Sequence, residues 1–196
     1  MKVIGITGGI GAGKSRVLDY MREKYAAAVC QTDKAAHELQ KPGKDCYREI
    51  VRNFGVEILN ADGSINRKVL GSIVFSAPKK LELLNGIVHP AVKAFVKEEM
   101  KRSEEAGADI FVIESALLME DHYEEICDRL WYIYADKSVR TARLKESREL
   151  EDEKIENIMH SQADEEAFRS YCDVTIDNSG TFACTEKQIE KALGGR

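Results

Sequence analysis

The chain has 196 residues, of which 43% are hydrophobic and 32% are charged, a composition that suits a globular protein with a sizeable core. Its formal net charge of -5 argues against non-specific binding to nucleic acid. No apolar run approaches the ~20 residues that cross a bilayer, and the first strand begins by residue 3, so neither a membrane segment nor a signal peptide is expected. Five separated cysteines without a C-x-x-C pair predict reduced thiols in a cytoplasmic protein.

The chain opens with an apolar run over residues 2–7, a glycine-rich loop and an amphipathic segment over residues 14–25. The loop fits G-x-x-x-x-G-K-[ST] at every fixed position, and the strand and helix around it are the context that this motif needs. Glycines let backbone N–H groups turn toward an anion, and the helix aims its positive end at the same place. We therefore predict an ATP site with Mg²⁺, in which Gly8 forms the turn, the amides of Gly11, Ala12 and Gly13 bind phosphates, Lys14 reaches the β- and γ-phosphates, and Ser15 binds the metal.

Short apolar runs continue along the chain and alternate with helical patterns. They predict further strands over residues 28–31, 110–113, 130–134 and 173–177. Because each run is almost entirely apolar, the strands are expected to form a parallel sheet that helices cover on both faces. The predicted fold class is α/β, a three-layer P-loop NTPase fold with a five-stranded parallel sheet.

The predicted helices form two groups. One group surrounds the sheet and covers residues 14–25, 137–148, 152–168 and 184–193. The other group runs from residue 34 to residue 106 without a strand, which predicts a small helical insert. Within that insert Pro90 is expected to begin a new helix, so His89 should lie at a helix junction, where its ring either touches a substrate or is structural.

Two acidic residues follow predicted strands at the edge of the sheet where ligands bind in such folds. Asp33 comes after the second strand and either orients an acceptor hydroxyl and takes its proton or caps the helix that begins at Lys34. Glu114 ends the third strand and either binds a metal-bound water or faces solvent. The residues alone leave both pairs of alternatives open.

Arginines recur in the charged segment after the fourth strand. Arg140 and Arg143 are spaced to share one helix face, and Arg148 follows. A basic hairpin that closes on ATP would bring guanidinium groups to the phosphates and exclude water. The alternative is a solvated helix with balancing glutamates, which the charge pattern favours when it is considered alone.

The other motifs of the chain, its length and the helical insert indicate the class of reaction. No guanine-binding N-K-x-D occurs in the chain, which argues against a GTPase, and Asp177-Asn178-Ser179-Gly180 fits D-x-x-G only after the last strand, where no switch loop belongs. Size and the helical insert favour a kinase with a separate acceptor-binding unit. The alternatives are a kinase for a nucleoside or sugar, and a regulatory protein that binds a nucleotide without transferring phosphate.

Several stretches together carry a resemblance to one family. They are Thr7-Gly8-Gly9-Ile10-Gly11 before the lysine, Thr32-Asp33-Lys34, Asp62-Gly63-Ser64 and Val74-Phe75 in the insert, Ile87-Val88-His89-Pro90, Glu114-Ser115-Ala116-Leu117-Leu118, Gln162, and Asp173-Val174-Thr175-Ile176-Asp177-Asn178. In this combination the chain resembles dephospho-coenzyme A kinases over nearly its whole length.

The resemblance implies transfer of the γ-phosphate of ATP to the ribose 3′-hydroxyl of dephospho-CoA, the last step of CoA biosynthesis. It implies a single kinase chain over 1–196 with a nucleotide-binding core (1–33 and 107–196), a helical CoA-binding insert (34–106) and a lid (137–162). Asp33 becomes the general base, with the metal bound through water by Asp33 or Glu114. The resemblance also implies that Arg143 and Arg148 are lid arginines and that His89, Glu114 and Leu117 lie on the acceptor side. It further implies small-molecule substrates only, and a monomer.

The chain also departs from the family pattern. The residue after Ser15 is usually Thr and is Arg16 here, a cation that either contacts the α-phosphate or faces solvent. Ala116 stands where family members often have Pro. The spacing from Arg148 to Gln162 is about one residue shorter than the family pattern, which affects the assignment of the lid arginines.

Overall fold

A computed structural model describes residues 1–148, 151–160, 162 and 164–194, except for the side chains of residues 147 and 148. The chain divides into two compact units. Unit 1 consists of Met1–Val29 and Ser103–Arg196, and unit 2 of Cys30–Arg102.

Five strands form one sheet in the described residues, in the order β2-β3-β1-β4-β5. The pairs of β1 with β3 and β4, and of β4 with β5, are parallel. The α/β fold with a five-stranded parallel sheet is therefore confirmed. The strands are β1 (Lys2–Thr7), β2 (Ala28–Gln31), β3 (Ile110–Glu114), β4 (Arg129–Tyr134) and β5 (Val174–Asp177).

The helices follow the predicted alternation with these strands. They are α1 (Lys14–Tyr25), α2 (Thr32–Leu39), α3 (Asp45–Phe54), α4 (Arg67–Phe75), α5 (Pro78–Glu105), α6 (Lys137–Arg148), α7 (Asp152–His160), α8 (Glu165–Tyr171) and α9 (Phe182–Gly194). None of the helices in the described ranges is both long and apolar enough to cross a membrane.

The core of unit 1 lies between the sheet and the helices beside it. Ile4, Ile6 and Trp131 are fully buried in the two central strands. Helix α1 buries Val17 and Met21 against them, because residues four apart lie on one face of a helix. Each such side chain contributes about 1.5–3 kcal/mol by its burial, so this core holds the strand and the helix on either side of the glycine loop.

Two carboxylates bind the amide groups at the amino ends of the strands. Asp128 accepts a hydrogen bond from the Val3 N–H (2.7 Å), and Asp173 accepts one from the Leu130 N–H (2.7 Å). These bonds satisfy backbone donors where the ladder begins. They also fix where β1 and β4 start, and therefore where they end beside the glycine loop.

Helices α6 and α7 form a hairpin. Two ion pairs join them, Lys137 with Glu156 (3.5 Å) and Lys145 with Asp152 (2.6 Å). Because the earlier residue of α6 pairs with the later residue of α7, the two helices run antiparallel. All four side chains are about half or more exposed, so each pair contributes at most about 1 kcal/mol.

Unit 2 is helical and has a core of its own. Its fully or nearly fully buried residues include Ile50, Phe54 and Leu70, which α3 and α4 contribute. Asn66 caps α4, since its side-chain oxygen accepts hydrogen bonds from the Lys68 and Val69 N–H groups.

Two predicted helix boundaries are wrong. Helix α5 continues through Pro90, so His89 lies inside a helix and not at a junction. The apolar side chains on both sides of Pro90, such as Ile87 and Ala91, pack against the unit 2 core, and this burial offsets the ~3 kcal/mol cost of an interior proline. The single helix predicted over 152–168 is instead α7 and α8, because Asp164 accepts a hydrogen bond from the Ala167 N–H and begins a new helix.

The thiols should differ strongly in reactivity. Burial raises the pKa of Cys30 to about 11 and the pKa values of Cys127 and Cys172 to about 12, whereas Cys184 is exposed. Because the thiolate is the reacting form, a thiol titration at pH 8 should show one fast thiol and slow reaction of the others until the chain unfolds. Cys184→Ser should remove the fast phase, and its persistence would contradict this assignment.

Candidate active site

The glycine loop joins β1 to α1 through a tight turn. The Ala12 N–H donates to the Gly9 carbonyl (3.2 Å), and Gly11, the third residue of this turn, has a φ of 78°. A turn with positive φ at its third position favours glycine there. Gly13, with a φ of 87°, is the N-cap of α1, and as a glycine it has no side chain that could cap the helix. Gly8, before the turn, also has a positive φ, 152°, so positive φ applies to three of the loop's four glycines.

The carbonyl groups of the loop accept hydrogen bonds from side chains of three different segments. The Gly8 carbonyl accepts from Lys14 Nζ (2.7 Å), and the Ile10 carbonyl from Arg140 Nε (2.8 Å). The Ala12 carbonyl accepts from Asn178 Nδ2 (2.8 Å). Helix α1, helix α6 and the loop after β5 thus all bind the backbone of this one turn.

Lys14 and Glu114 lie close together at the carboxyl edge of the sheet. Lys14 Nζ is 3.7 Å from Glu114 Oε1, and the two side chains are 18% and 12% exposed. Glu114 ends β3, which pairs directly with β1, so the register of the sheet places its carboxylate beside the loop. The sequence left open the alternative that Glu114 faces solvent, and in the structure it does not.

Arg143 and Asn178 connect α6, the loop and β5. Arg143 Nη2 donates to the Asn178 carbonyl (2.8 Å), and Arg143 Nη1 lies 3.3 Å from the Ala12 carbonyl. The Asn178 side chain is buried and also accepts a hydrogen bond from Thr185 Oγ1 (2.9 Å). A Cβ on Gly13 would lie 2.3 Å from Asn178 Nδ2, so this contact requires glycine as well.

Arg140 and Gln162 hold the other side of the loop. Gln162 Oε1 accepts hydrogen bonds from the Ile10 N–H and from Arg140 Nη2, each 3.0 Å long. Together with the bond from Arg140 to the Ile10 carbonyl, this arrangement uses both backbone polar groups of Ile10.

Asp33 lies in unit 2, in the first turn of α2, and its side chain is exposed. The residue that caps α2 is Gln31, and its side chain makes no cap hydrogen bond, so the interpretation of Asp33 as an N-cap is wrong. A carboxylate in the first turn of a helix still interacts favourably with the helix dipole.

The other predicted site residues lie in different settings. Arg16 follows the loop with its guanidinium 4.0 Å from the centre of the Phe182 ring, an arrangement that stabilises through a cation–π contact. Leu117 is 40% exposed in the turn after β3, and Ser15 is exposed at the start of α1. His89 is partly buried in α5. The side chain of Arg148 lies outside the described part of the chain.

Sequence reasoning missed the roles of Asn178 and Thr185 and gave Gln162 no role. The sequence shows that Asn178 is a polar residue directly after β5, at the edge of the sheet where the glycine loop lies. The D-x-x-G match that contains it does not predict a contact with the loop. The family resemblance was the only signal in the sequence that pointed to Gln162, because its contact with Ile10 spans 152 residues of sequence.

A glycine loop of this form at the carboxyl edge of a parallel sheet, with basic side chains converging on it, is the arrangement of a P-loop nucleotide-binding protein. The family model described as Dephospho-CoA kinase matches residues 2–183. The chain belongs to the dephospho-CoA kinase family, which catalyses the last step of CoA biosynthesis.

Individual relatives agree with this assignment. The chain is 36% identical over 190 residues to the dephospho-CoA kinase of Shouchella clausii, covering 97% of this chain and 96% of that protein. Among solved structures, a protein from Thermus thermophilus has a TM-score of 0.84 at 28% identity, and the dephospho-CoA kinase from Campylobacter jejuni has a TM-score of 0.70 at 25% identity. Both comparisons cover 98% of this chain and 96% of the other.

Gly8 is expected to be essential for packing against the neighbouring strand. A Cβ on Gly8 would lie 2.4 Å from the Ile133 carbonyl oxygen, and its φ of 152° is unfavourable for other residues. Gly8→Ala should therefore lower the free energy of unfolding by about 2–4 kcal/mol, as measured by urea denaturation.

Gly71→Ala in α4 is the matched control. Its new Cβ would approach no atom closer than 3.6 Å, to the Phe75 ring, so it should raise stability by about 0.5–1 kcal/mol. Equal stability of Gly8→Ala and the unmodified chain would show that the loop is not fixed against β4.

Proposed function

We propose that this protein phosphorylates the ribose 3′-hydroxyl of dephospho-CoA with ATP as donor, giving CoA and ADP, and that Mg²⁺ is its metal. The family match over residues 2–183 is the observation that carries this proposal, because it includes the phosphate-binding loop and the helical unit together. The family's reaction is phosphate transfer from ATP to an alcohol of dephospho-CoA.

The donor side of the reaction is assigned to unit 1. We assign phosphate binding to Gly8 and to the backbone amides of Gly11, Ala12 and Gly13, with Lys14 reaching the β- and γ-phosphates. Phosphoryl transfer depends mainly on positioning and on cations that stabilise the charge of the transferring group. Lys14 is supported by its location, since its ammonium group donates to the Gly8 carbonyl at the start of the loop. Arg143 and Arg148 are the proposed lid arginines, and Arg16 the proposed neighbour of the α-phosphate.

The residues around Lys14 suit Mg²⁺ that arrives with the nucleotide. Mg²⁺ prefers oxygen ligands and usually keeps several waters, binding through one or two protein groups and substrate phosphates. Ser15 offers a hydroxyl, and Glu114 or Asp33 a carboxylate that acts through water. Mg²⁺, when bound, neutralises charge that develops on the phosphate oxygens.

Asp33 is the proposed general base. Its carboxylate is exposed and does not cap α2. In the proposed reaction it accepts the proton of the acceptor hydroxyl and orients that group toward the γ-phosphate.

The acceptor side is assigned to the helical insert, residues 34–106, with His89 as a substrate contact. Glu114 at the end of β3 and Leu117 in the turn that follows are further proposed contacts. Residues 137–162 are proposed to act as the lid. We further propose that the protein is a cytoplasmic monomer with small-molecule substrates, without nucleic-acid or membrane partners.

A panel of acceptors tests the activity. ADP release should be fast with dephospho-CoA and near background with nucleosides, sugars and shikimate, and EDTA should abolish it until Mg²⁺ is restored. Phosphate on the product should be located at the 3′-hydroxyl by NMR. Absence of turnover with dephospho-CoA, in a preparation shown to bind ATP, would overturn the proposed function.

Replacement of the proposed base tests the acceptor chemistry. Asp33→Asn should lower kcat by about 10²–10⁴-fold, because an amide cannot take the proton, while KM for ATP changes by less than about threefold. Asp45→Asn is the matched control, since Asp45 is another exposed carboxylate in the first turn of a helix of the same unit. Nearly unchanged turnover of Asp33→Asn would remove Asp33 as the base.

A further inference from the structure

Ile10 is held by two side chains of the proposed lid to which no individual role in the reaction has been assigned. Arg140 donates to its carbonyl, Gln162 accepts from its N–H, and Arg140 also donates to the same oxygen of Gln162. The three bonds, of 2.8 to 3.0 Å, form a closed network. We call Arg140 and Gln162 the loop clamp.

The glycine at position 9 is explained by this clamp. A Cβ on Gly9 would lie 2.4 Å from Arg140 Nη2 and 2.6 Å from Arg140 Cζ, and the three nearest atoms all belong to this guanidinium. Gly9 is not among the glycines with positive φ, so its backbone would accept another residue. The guanidinium of Arg140 therefore lies against the bare backbone of Gly9, and any side chain there would displace it.

Among the described residues, Arg140 has no carboxylate partner. Its side-chain hydrogen bonds go to a carbonyl oxygen and an amide oxygen. The side chain is half-buried, and this desolvation lowers the pKa of its guanidinium. Burying a cation without an opposite charge is unfavourable, so an anion bound in the adjacent loop would supply a compensation that the described partners of Arg140 do not.

The position of Ile10 gives the clamp its effect on the loop. Ile10 is the second residue of the turn that the Ala12 N–H closes on Gly9. When both its N–H and its carbonyl are fixed, the two peptide planes that flank it are fixed as well. The direction of the amides that follow, from Gly11 onward, is set by those planes.

We propose that Arg140 and Gln162 are positioning residues for ATP, which act through the peptide groups of Ile10 and through the uncompensated charge of Arg140. This inference rests on the proposed role of the loop as the ATP site. It requires that loss of the clamp weakens ATP binding and leaves the binding of dephospho-CoA unchanged.

The test uses the full chain and three single variants. Arg140→Met and Gln162→Met keep the approximate length of the side chains and remove the bonds to Ile10, and Gly9→Ala displaces the guanidinium while Arg140 remains. Calorimetric titration with MgATP should show a Kd raised about tenfold in each variant, the loss expected for a charge-assisted hydrogen bond. KM for ATP should rise similarly, and KM for dephospho-CoA should stay within about twofold.

Lys24→Met is the matched control for charge. It removes a cation from unit 1 outside the α6–α7 hairpin, and Lys24 is 50% exposed and pairs with Glu190. Its Kd for ATP should equal that of the unmodified chain. Thermal melts establish that each variant is folded, and Gly9→Ala should fold even if the methionine variants do not, because its Cβ meets only the flexible end of Arg140.

The double variant Gly9→Ala/Arg140→Met decides the mechanism. If Gly9→Ala acts by displacing Arg140, the double variant should bind ATP as weakly as Arg140→Met alone. Additive losses would mean that position 9 acts on ATP directly, and unchanged Kd values in the folded single variants would mean that the clamp does not position the loop. Either result overturns the inference. ATP binding needs no acceptor, so a failure with dephospho-CoA would count against the proposed function and not against the clamp.

Discussion

A loop that turns its amide groups toward an anion turns its carbonyl groups outward, and buried carbonyls need donors. Here the carbonyls of Gly8, Ile10 and Ala12 accept from Lys14, Arg140 and Asn178. These donors come from the helix after the loop, from α6 and from the segment after β5. The need to satisfy three carbonyls thus gathers distant parts of unit 1 around one turn, and it places basic side chains where a triphosphate would need them.

The sheet was predictable because its strands are buried on both faces. A run such as Ile110–Ile113 has no polar residue, so its interpretation as a parallel strand does not depend on distant contacts. The loop was predictable because the motif G-x-x-x-x-G-K-[ST] is recognised from residues 8–15 alone. The close contacts that require glycine, of Gly8 with Ile133 in β4 and of Gly13 with Asn178 after β5, are long-range and could not be predicted from the motif.

The surroundings of the loop were much less predictable. Gln162 and Asn178 reach it across 152 and 166 residues of sequence, and no local pattern in the chain encodes which polar residue meets which carbonyl. Tertiary packing also overrode a local rule at Pro90, where burial of an apolar face keeps α5 continuous. Asp33 is an intermediate case. Its place after β2 was predicted from the sequence, but only the structure shows that it does not cap α2.

The hairpin of α6 and α7 is attached to the loop at both of its ends. Arg140 and the nearly fully buried Leu144 lie against Gly9–Gly11 at its start, and Gln162 holds Ile10 beyond its end. A displacement of the hairpin is therefore also a displacement of the loop backbone. By thermodynamic linkage, any ligand or condition that favours one hairpin position must change the affinity for ATP, and ATP must favour that position by the same factor. The exposed ion pairs that join the two helices make ionic strength one such condition.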